Sequence, residues 1–277
     1  MNNRGCNKVE ACLTVANIIG VLAIVIIAAV IGTDRWLVFT VERNRLLPAT
    51  QLGSMDGIKA RYYHTRQRGM FRECYPGNDT MFLDTATDVL DKNCFSLLFS
   101  DNPDGASDDY KLMLGLYTAF MVMFLVGELI LVIAYIIGLC LCVGKMYSKA
   151  WVAAVLTFLS AFLIALGLAL FHGSVHVERE NVRDTMADRQ QYYQSWPTEL
   201  KNSTKMEFKE SYIAAWVAFV LVLITCFCYG MAVRLLSPPK PKSKAPPPSA
   251  APYYPQQVIY PGQQTAYPQA PVVYYLE

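Results

Sequence analysis

Gly69-Met70-Phe71-Arg72-Glu73-Cys74 is the stretch on which the fold depends, and Cys94 follows it twenty residues later. The stretch lies in a long polar loop that begins after an apolar run ending at Thr33-Asp34-Arg35-Trp36. Two cysteines in such a loop predict a disulfide formed in an oxidising compartment. A bridge across a loop of this size contributes about 3 kcal/mol to stability. We therefore expect the loop, rather than the apolar segments around it, to carry the function.

Four long apolar runs dominate the rest of the sequence. The chain of 277 residues is 54% hydrophobic and 17% charged, which is less charge than a soluble domain of this size carries. Each run exceeds the roughly 18–20 residues that a membrane-spanning helix needs. The first run is too long for the apolar core of a signal peptide, so we expect it to be retained. The predicted spans are residues 11–33, 112–144, 150–172 and 211–234.

Basic residues lie beside three of the predicted helix ends. Lys8 precedes the first span, Lys145 lies between the second and third, and Arg234 ends the fourth. The positive-inside rule places this side of the membrane in the cytoplasm. Both termini would then be cytoplasmic, and the loops 34–111 and 173–210 would lie outside the plasma membrane.

Two glycosylation sequons fall in the loops that are predicted to be outside. Asn78-Asp79-Thr80 belongs to the first loop, and Asn202-Ser203-Thr204 belongs to the second. Such acceptor motifs are expected in surface loops of secreted or surface-exposed regions. We therefore predict glycosylation at Asn78 and Asn202.

The six remaining cysteines lie in or near the cytoplasmic half of the predicted bundle. Cys12 is at the entry of the first span, and Cys140 and Cys142 are at the exit of the second. Cysteines at a membrane edge are typical sites of S-palmitoylation, and these three are our candidates. The alternative is that they are small apolar packing residues. No tetrahedral ligand set is apparent among them, so we expect no metal site.

Both outer loops contain recognisable secondary-structure patterns. Residues 36–41 and 81–83 are strand-like and are separated by Gly and Pro, which predicts a small antiparallel sheet held by the disulfide. The second loop begins as a helical extension of the third span, where His172 and His176 lie at i and i+4 beside Glu178. This spacing is compatible with a zinc site, but we favour a solvated helix end.

The first loop is divided electrically. Residues 43–72 contain seven basic side chains against Asp56 alone, whereas residues 73–109 contain nine acidic side chains against Lys92 alone. Such a division can steer ions or dock a partner of complementary charge. Alternatively, the two halves pair across the sheet and neutralise each other. The sequence leaves both interpretations open.

Glu128 is the ionisable residue deep inside a predicted span. Burying its charge costs roughly 2.5–3.5 kcal/mol on insertion scales, so we expect it to face the bundle. Asn17, Thr157 and Ser160 are the expected hydrogen-bonding partners. A proton or ion relay is the functional alternative, but no span contains a second carboxylate. We therefore favour a structural polar contact.

The tail, residues 237–277, contains eleven of the fifteen prolines together with repeated Tyr-Pro pairs. This composition predicts disorder with polyproline-II character. Such a tail offers docking sites for proline-recognising domains or tyrosine kinases, or it is an inert low-complexity segment. Elsewhere the sequence contains no phosphate-binding loop and no recognisable catalytic set. We expect neither enzymatic activity, nor a cofactor, nor nucleic-acid binding.

These features together resemble the claudin and peripheral myelin protein superfamily, which includes the voltage-dependent calcium channel gamma subunits. The family pattern is Trp, then Gly-Leu-Trp, then two cysteines; here Trp36 is followed by Gly69-Met70-Phe71, Arg72 and the cysteines, and the resemblance covers residues 10–236. It implies a mainly α membrane protein: a left-handed four-helix bundle with an extracellular antiparallel sheet of about five strands. It also implies that Trp36, Gly69 and Phe71 hold the sheet against the outer face of the membrane and that Cys74 bonds to Cys94.

The resemblance implies two competing functions. The favoured one is a gamma-like auxiliary subunit that regulates the gating or trafficking of an ion channel or receptor. The alternative is a claudin-like junction protein that self-associates and forms a paracellular barrier or pore. The long spacing from Trp36 to Gly69 and the sequon in the first loop favour the gamma-like function. A proton-coupled carrier that uses Glu128 is a third, weaker hypothesis.

Overall fold

Four long helices form the body of the protein. The computed structural model describes residues 3–42, 61–76, 89–91, 94–97, 107–144, 146–183 and 193–237. All four long helices are long and apolar enough to cross a membrane, which confirms the four helices expected from the sequence. The helices are α1 (Asn3–Gly32), α2 (Asp108–Val143), α3 (Tyr147–Glu180), the short α4 (Thr198–Ser203) and α5 (Glu210–Leu236).

α1 begins at Asn3, eight residues before its predicted span, and α2 and α3 also extend beyond the apolar runs that predicted them. α2 begins at Asp108, because the Ser107 hydroxyl accepts a hydrogen bond from the backbone N–H of Tyr110 at 3.2 Å and caps the helix. α3 continues to Glu180, as the predicted helical extension of the third span. At about 1.5 Å per residue, both helices exceed the ~30 Å of a hydrocarbon core. They therefore project beyond the membrane at the end where α2 begins and α3 ends.

Small residues allow α2 and α3 to pack closely. The turn between them occupies only residues 144–146, so the two helices run antiparallel. A Cβ added at Gly127 would lie 3.0 Å from Ile164 Cγ1, and one at Gly167 would lie 3.4 Å from the carbonyl oxygen of Phe120. The Ser160 hydroxyl also donates to the Gly127 carbonyl at 2.8 Å. Close backbone approach of this kind is a general means of helix association in membranes.

A six-stranded antiparallel sheet lies at the end of the bundle where α1 ends. Its order is β4-β5-β3-β2-β1-β6. Strand β1 pairs with β2 on one side and with β6 on the other. The strands are β1 (Leu37–Val41), β2 (Arg66–Arg68), β3 (Arg72–Cys74), β4 (Val89–Asp91), β5 (Cys94–Ser96) and β6 (Thr204–Phe208).

The second loop contributes to the sheet, which the sequence did not predict. The expectation was a sheet of about five strands in the first loop, and the sixth strand, β6, comes from the second loop and is followed by α5 after Lys209 alone. The expected strand at residues 36–41 is confirmed as β1. The expected strand at residues 81–83 and the predicted disordered tail lie outside the described residues.

The sheet and the bundle share one hydrophobic core. Phe39 of β1 is fully buried together with Phe120 of α2, Phe171 of α3 and Ala215 of α5. Because residues from the sheet and from three helices meet in this cluster, the sheet is packed onto the bundle rather than tethered to it by loops alone. The end of the bundle that carries the sheet, which we call the sheet end, is therefore the candidate for a functional surface.

Candidate functional site

Trp36 fixes the start of β1 in the outer end of the bundle. Its side chain is completely buried, and its indole N–H donates to the Val30 carbonyl of α1 at 2.9 Å. Its ring contacts Phe120, Phe124 and Phe171 edge-on, with centroid distances of 5.2–5.5 Å. This edge-to-face geometry is the preferred arrangement for aromatic pairs. Trp36 thus connects the sheet to three helices.

Gly69 is required by a close approach of two backbones. It lies in the turn between β2 and β3, where its N–H donates to the Arg72 carbonyl at 2.8 Å. A Cβ at this position would lie 2.7–2.9 Å from atoms of Thr33 and Asp34, at the end of α1. The Tyr117 hydroxyl of α2 donates to the carbonyl oxygens of Gly69 and Met70, at 3.1 and 2.9 Å. Sequence reasoning did not find Tyr117.

Met70, rather than Phe71, is the buried side chain of the turn. The resemblance implied that Phe71 holds the sheet with Trp36 and Gly69, but Met70 is 1% exposed whereas Phe71 is only partly buried. The Phe71 carbonyl instead accepts a hydrogen bond from the N–H of Leu97. Methionine adapts to irregular gaps in a core, which suits this position under the sheet. Phe71 packs against the same hydrophobic core at its edge, so Met70 is the more deeply buried of the two residues.

Arg72 connects β3 to the end of α1. Its Nε donates to both carboxylate oxygens of Asp34, at 2.8 and 2.9 Å. Next to it, the predicted disulfide joins Cys74 of β3 to Cys94 of β5, two residues that lie opposite each other in the sheet. We call Asp34, Trp36, Gly69, Met70 and Arg72 the sheet anchor.

Four charged side chains form a buried network beneath the sheet. Arg68 Nε lies 3.0 Å from Glu73 Oε2, and Arg68 NH1 lies 2.6 Å from Glu178 Oε2 of α3. Arg66 Nε lies 3.2 Å from the other oxygen of Glu73. Burial opposes the charge of Arg68, but Glu178 and Glu73 outweigh this effect and raise its pKa well above the usual value. We call Arg66, Arg68, Glu73 and Glu178 the ionic network.

Aromatic rings complete the surroundings of Arg66. Its guanidinium lies 4.0 Å from the centre of the Phe39 ring, and 5.1 and 5.2 Å from the rings of Trp196 and Tyr62. Cation–π contacts of this kind are strengthened when the cation is removed from water. Since Trp196 belongs to the second loop, Arg66 joins both loops to the sheet.

The bundle, the sheet and the disulfide agree with one protein family. The family model described as PMP-22/EMP/MP20/Claudin tight junction matches residues 21–229, which is well over half of the chain. The chain belongs to this claudin family. No curated protein matches it significantly. As a claudin-family member it is a multi-pass integral membrane protein surrounded by the lipid bilayer, and the family is generally non-enzymatic.

Three arginines of the basic half of the first loop form ion pairs within this claudin-family fold. Arg66 and Arg68 pair with Glu73, and Arg72 pairs with Asp34. Of these pairs, those with Glu73 join the basic half to the acidic half across the sheet, whereas Asp34 lies at the end of α1. The side chain of Arg61 and the basic residues up to Lys59 lie outside the described residues.

The two histidines of α3 are both exposed, and His172 packs on an aromatic ring. His172 stacks on Phe208 of β6 with a centroid distance of 5.3 Å, and Glu178 is held by Arg68. In the part of the chain that the structure describes, no group of three His, Cys, Asp or Glu side chains is placed to hold a metal ion. The zinc hypothesis for His172 and His176 therefore gains no support from the geometry.

Away from the sheet, a polar cluster joins three helices. Asn17 of α1 donates to Cys142 Sγ of α2 at 3.1 Å and accepts from the Tyr229 hydroxyl of α5 at 3.0 Å. Gly138 makes room for this contact, because a Cβ there would collide with the Tyr229 hydroxyl. The cluster lets Asn17 be buried without an unsatisfied amide.

The partners expected for Glu128 are wrong. Asn17 is engaged as above, the Thr157 hydroxyl donates to the Ala153 carbonyl, and the Ser160 hydroxyl donates to the Gly127 carbonyl. Glu128 Oε2 is buried and has no hydrogen-bond partner among the described residues. Sequence could place these residues at similar depths, but packing decides the rotation of each helix.

The predicted modification sites differ in accessibility. Cys140 and Cys142 are exposed on α2, and Cys12 is partly buried on α1. Asn202 is exposed on α4, whereas Asn78 lies outside the described residues. Palmitoylation at the three cysteines and glycosylation at the two asparagines stay predictions.

Proposed function

We propose that this claudin-family protein is a non-enzymatic auxiliary subunit that regulates the gating or trafficking of an ion channel or receptor. The observation that carries the proposal is the length of the connection between two neighbouring strands, β1 and β2. β1 ends at Val41 and its neighbour β2 begins at Arg66, so 24 residues, 42–65, separate two strands that pair with each other. The gamma-like relatives in the resemblance have such a long spacing, whereas claudins usually have a shorter one.

The fixed position of the sheet supports recognition of a partner by this segment. The sheet anchor and the ionic network hold β1, β2 and β3 against α1, α2 and α3 through contacts of 2.6–3.2 Å. Loops carried by a rigid scaffold are the usual sites of binding. A preorganised scaffold also loses little entropy on association, which favours affinity.

Affinity purification tests the proposal. The tagged chain is isolated from gently solubilised native membranes, and the co-purifying proteins are identified by mass spectrometry. We expect a pore-forming channel or receptor subunit at near-stoichiometric amounts. Recovery of only the chain itself and junctional proteins would contradict the auxiliary role.

A claudin-like junction protein is the second candidate function. The description of the matched family, which names the claudin tight junction, favours it. Its test is expression in epithelial cells that lack junction strands. A junction component would concentrate at cell–cell contacts and change transepithelial resistance, whereas an auxiliary subunit would do neither without its channel.

We place the chain in the plasma membrane, with both termini cytoplasmic and the sheet outside. The exposed Asn202 on α4 provides the test, because an outside position allows it to be glycosylated. Glycosidase digestion is expected to reduce the apparent mass of the wild-type chain, and the variant Asn202→Gln is expected to lose part of that shift. On the cytoplasmic side, we propose acylation at Cys140 and Cys142 and docking of proline-recognising domains on the tail, residues 237–277.

A further inference from the structure

Glu128 differs from other polar side chains of the bundle in its hydrogen bonding. Within the described helices, Asn17, Thr157, Ser160 and Thr225 all make hydrogen bonds to side chains or to backbone carbonyls. Glu128 Oε2 is buried and makes none with any described residue. A buried polar atom without a partner in a native fold calls for an explanation.

The position of Glu128 on α2 shows which directions are open to it. The three- and four-residue spacing of a helix puts Glu128 on the same side as Phe124, Leu131 and Tyr135. Tyr135 faces α1, since a Cβ added at Gly20 would lie 3.6 Å from its ring. That side of α2 therefore faces α1.

The outer neighbours of Glu128 are open to the membrane. Leu125 is 39% exposed and Leu129 is 61% exposed, and Glu128 itself is partly exposed. Glu128 therefore lies at the margin between the α1 side of α2 and the surface that lipid covers. An approaching helix can contact the exposed part of the Glu128 side chain, and the buried Oε2 would have to turn outward to reach that helix.

The bilayer cannot supply the missing contact. Glu128 lies in the middle of the apolar run 112–144, where lipid tails neither donate nor accept hydrogen bonds. A second copy of the chain offers no cation at this depth either. The central parts of the four long helices, residues 11–33, 112–144, 150–171 and 211–233, contain no Lys or Arg.

We propose that Glu128 is the docking residue for a transmembrane helix of the partner that carries a Lys or Arg near the middle of its span. Charge complementarity supports this occupant. An unpaired acid and an unpaired cation are each costly to bury in a bilayer, and pairing them lowers the free-energy cost of both. The exposed Leu125 and Leu129 provide apolar contact on either side of the pair. The inference rests on the proposed function and adds the chemistry by which the partner is recognised.

A defined peptide tests the inference without the natural partner. The purified full chain is reconstituted into phosphatidylcholine vesicles with a polyleucine transmembrane peptide that carries one central Lys, and association is measured by energy transfer between labels. We expect the Lys peptide to associate about tenfold more strongly than an all-Leu peptide, the scale of an interhelical polar contact. No preference for the Lys peptide with the wild-type chain would overturn the proposal.

Variants of the chain establish that Glu128 causes the preference. Glu128→Leu is expected to abolish it, and Glu128→Gln, which keeps the shape but not the charge, is expected to retain only part of it. Thr225→Val is the matched control, because it removes a hydroxyl that bonds within its own helix, and it should preserve the full preference. Persistence of the preference in Glu128→Leu would contradict the proposal.

Co-purification from native membranes separates this inference from the proposed function. If a pore-forming subunit is recovered equally with wild-type chain and with Glu128→Leu, the docking role of Glu128 fails while the auxiliary function stands. If the Lys peptide is preferred but no pore-forming subunit is recovered, the auxiliary function fails and the docking chemistry stands.

Discussion

The sheet end of the molecule and the middle of its bundle treat buried charge in opposite ways. At the sheet end, Arg66, Arg68, Glu73 and Glu178 form ion pairs with N–O distances of 2.6–3.2 Å, and the buried Nε of Arg66 makes no hydrogen bond with a described residue. In the middle of the bundle, Glu128 Oε2 is buried without a described partner. Buried charged groups that pair with one another stabilise the fold, whereas a buried polar group without a partner is available for a contact with another molecule. We therefore assign a structural role to the ionic network and a role in partner recognition to Glu128.

The largest loss of stability is expected when one carboxylate of the ionic network is removed. Glu73→Gln removes the carboxylate that Arg66 and Arg68 share, so Arg66 loses its ion-pair partner and Arg68 keeps only Glu178. We expect a loss of about 3–5 kcal/mol. The matched control is Glu207→Gln, which removes an exposed carboxylate paired with Lys209 and should have little effect. Thermal unfolding in detergent and surface delivery measure the difference. Equal behaviour of the two variants would show that the network does not stabilise the fold.

Removing the disulfide should have the next largest effect. Cys74→Ser or Cys94→Ser opens a loop with a sequence separation of 20 and should cost about 3 kcal/mol. We expect surface biotinylation to detect almost none of either variant at the cell surface, with the double variant no worse than either single one. Normal surface levels of both single variants would contradict the role of the bridge.

A smaller loss is expected where the sheet turn meets α1. Gly69→Ala places a Cβ below 3 Å from backbone atoms of Thr33 and Asp34, and we expect a cost of about 1–3 kcal/mol. Gly115→Ala in α2 is the control, since a Cβ there meets nothing within 4 Å. If both alanine variants unfold at the wild-type temperature, the close approach at Gly69 is not a constraint on the fold.

The smallest effect on stability is expected at Glu128. Glu128→Leu removes a buried acid without a described partner, so the unfolding temperature should be unchanged or higher. The same position tests the carrier hypothesis: proton flux into liposomes should be identical for wild-type chain and Glu128→Gln. A marked destabilisation by Glu128→Leu, or a lower flux in Glu128→Gln, would place Glu128 in a structural or transport role instead.

Much of the fold was predictable because its signals are local. The four helices follow from apolar runs that are long enough to cross a membrane, and β1 follows from a short strand-like stretch after Trp36. The pairing of β6 with β1 was not predictable, because it joins segments far apart in the chain. The same is true of the ionic network, in which Arg68 and Glu178 are separated by 110 positions.

The candidate site was predicted in its residues but not in its geometry. The Gly69 position followed from a motif, yet the reason for glycine appears only when the turn is seen against Thr33 and Asp34. Met70 is buried more deeply than Phe71, which packs at the edge of the same core, and the motif alone did not indicate this difference. The partners of Glu128 were wrong because helix rotation depends on packing, which a single sequence does not specify.

Regulation of a channel is the central claim, and current recording tests it most directly. The pore-forming subunit recovered with this chain is expressed alone, with wild-type chain, and with Glu128→Leu, and its currents are measured under voltage clamp. We predict that wild-type chain changes the current amplitude or the voltage dependence of gating, and that Glu128→Leu loses most of this effect at equal surface level. Currents that are the same with and without the wild-type chain would contradict the account.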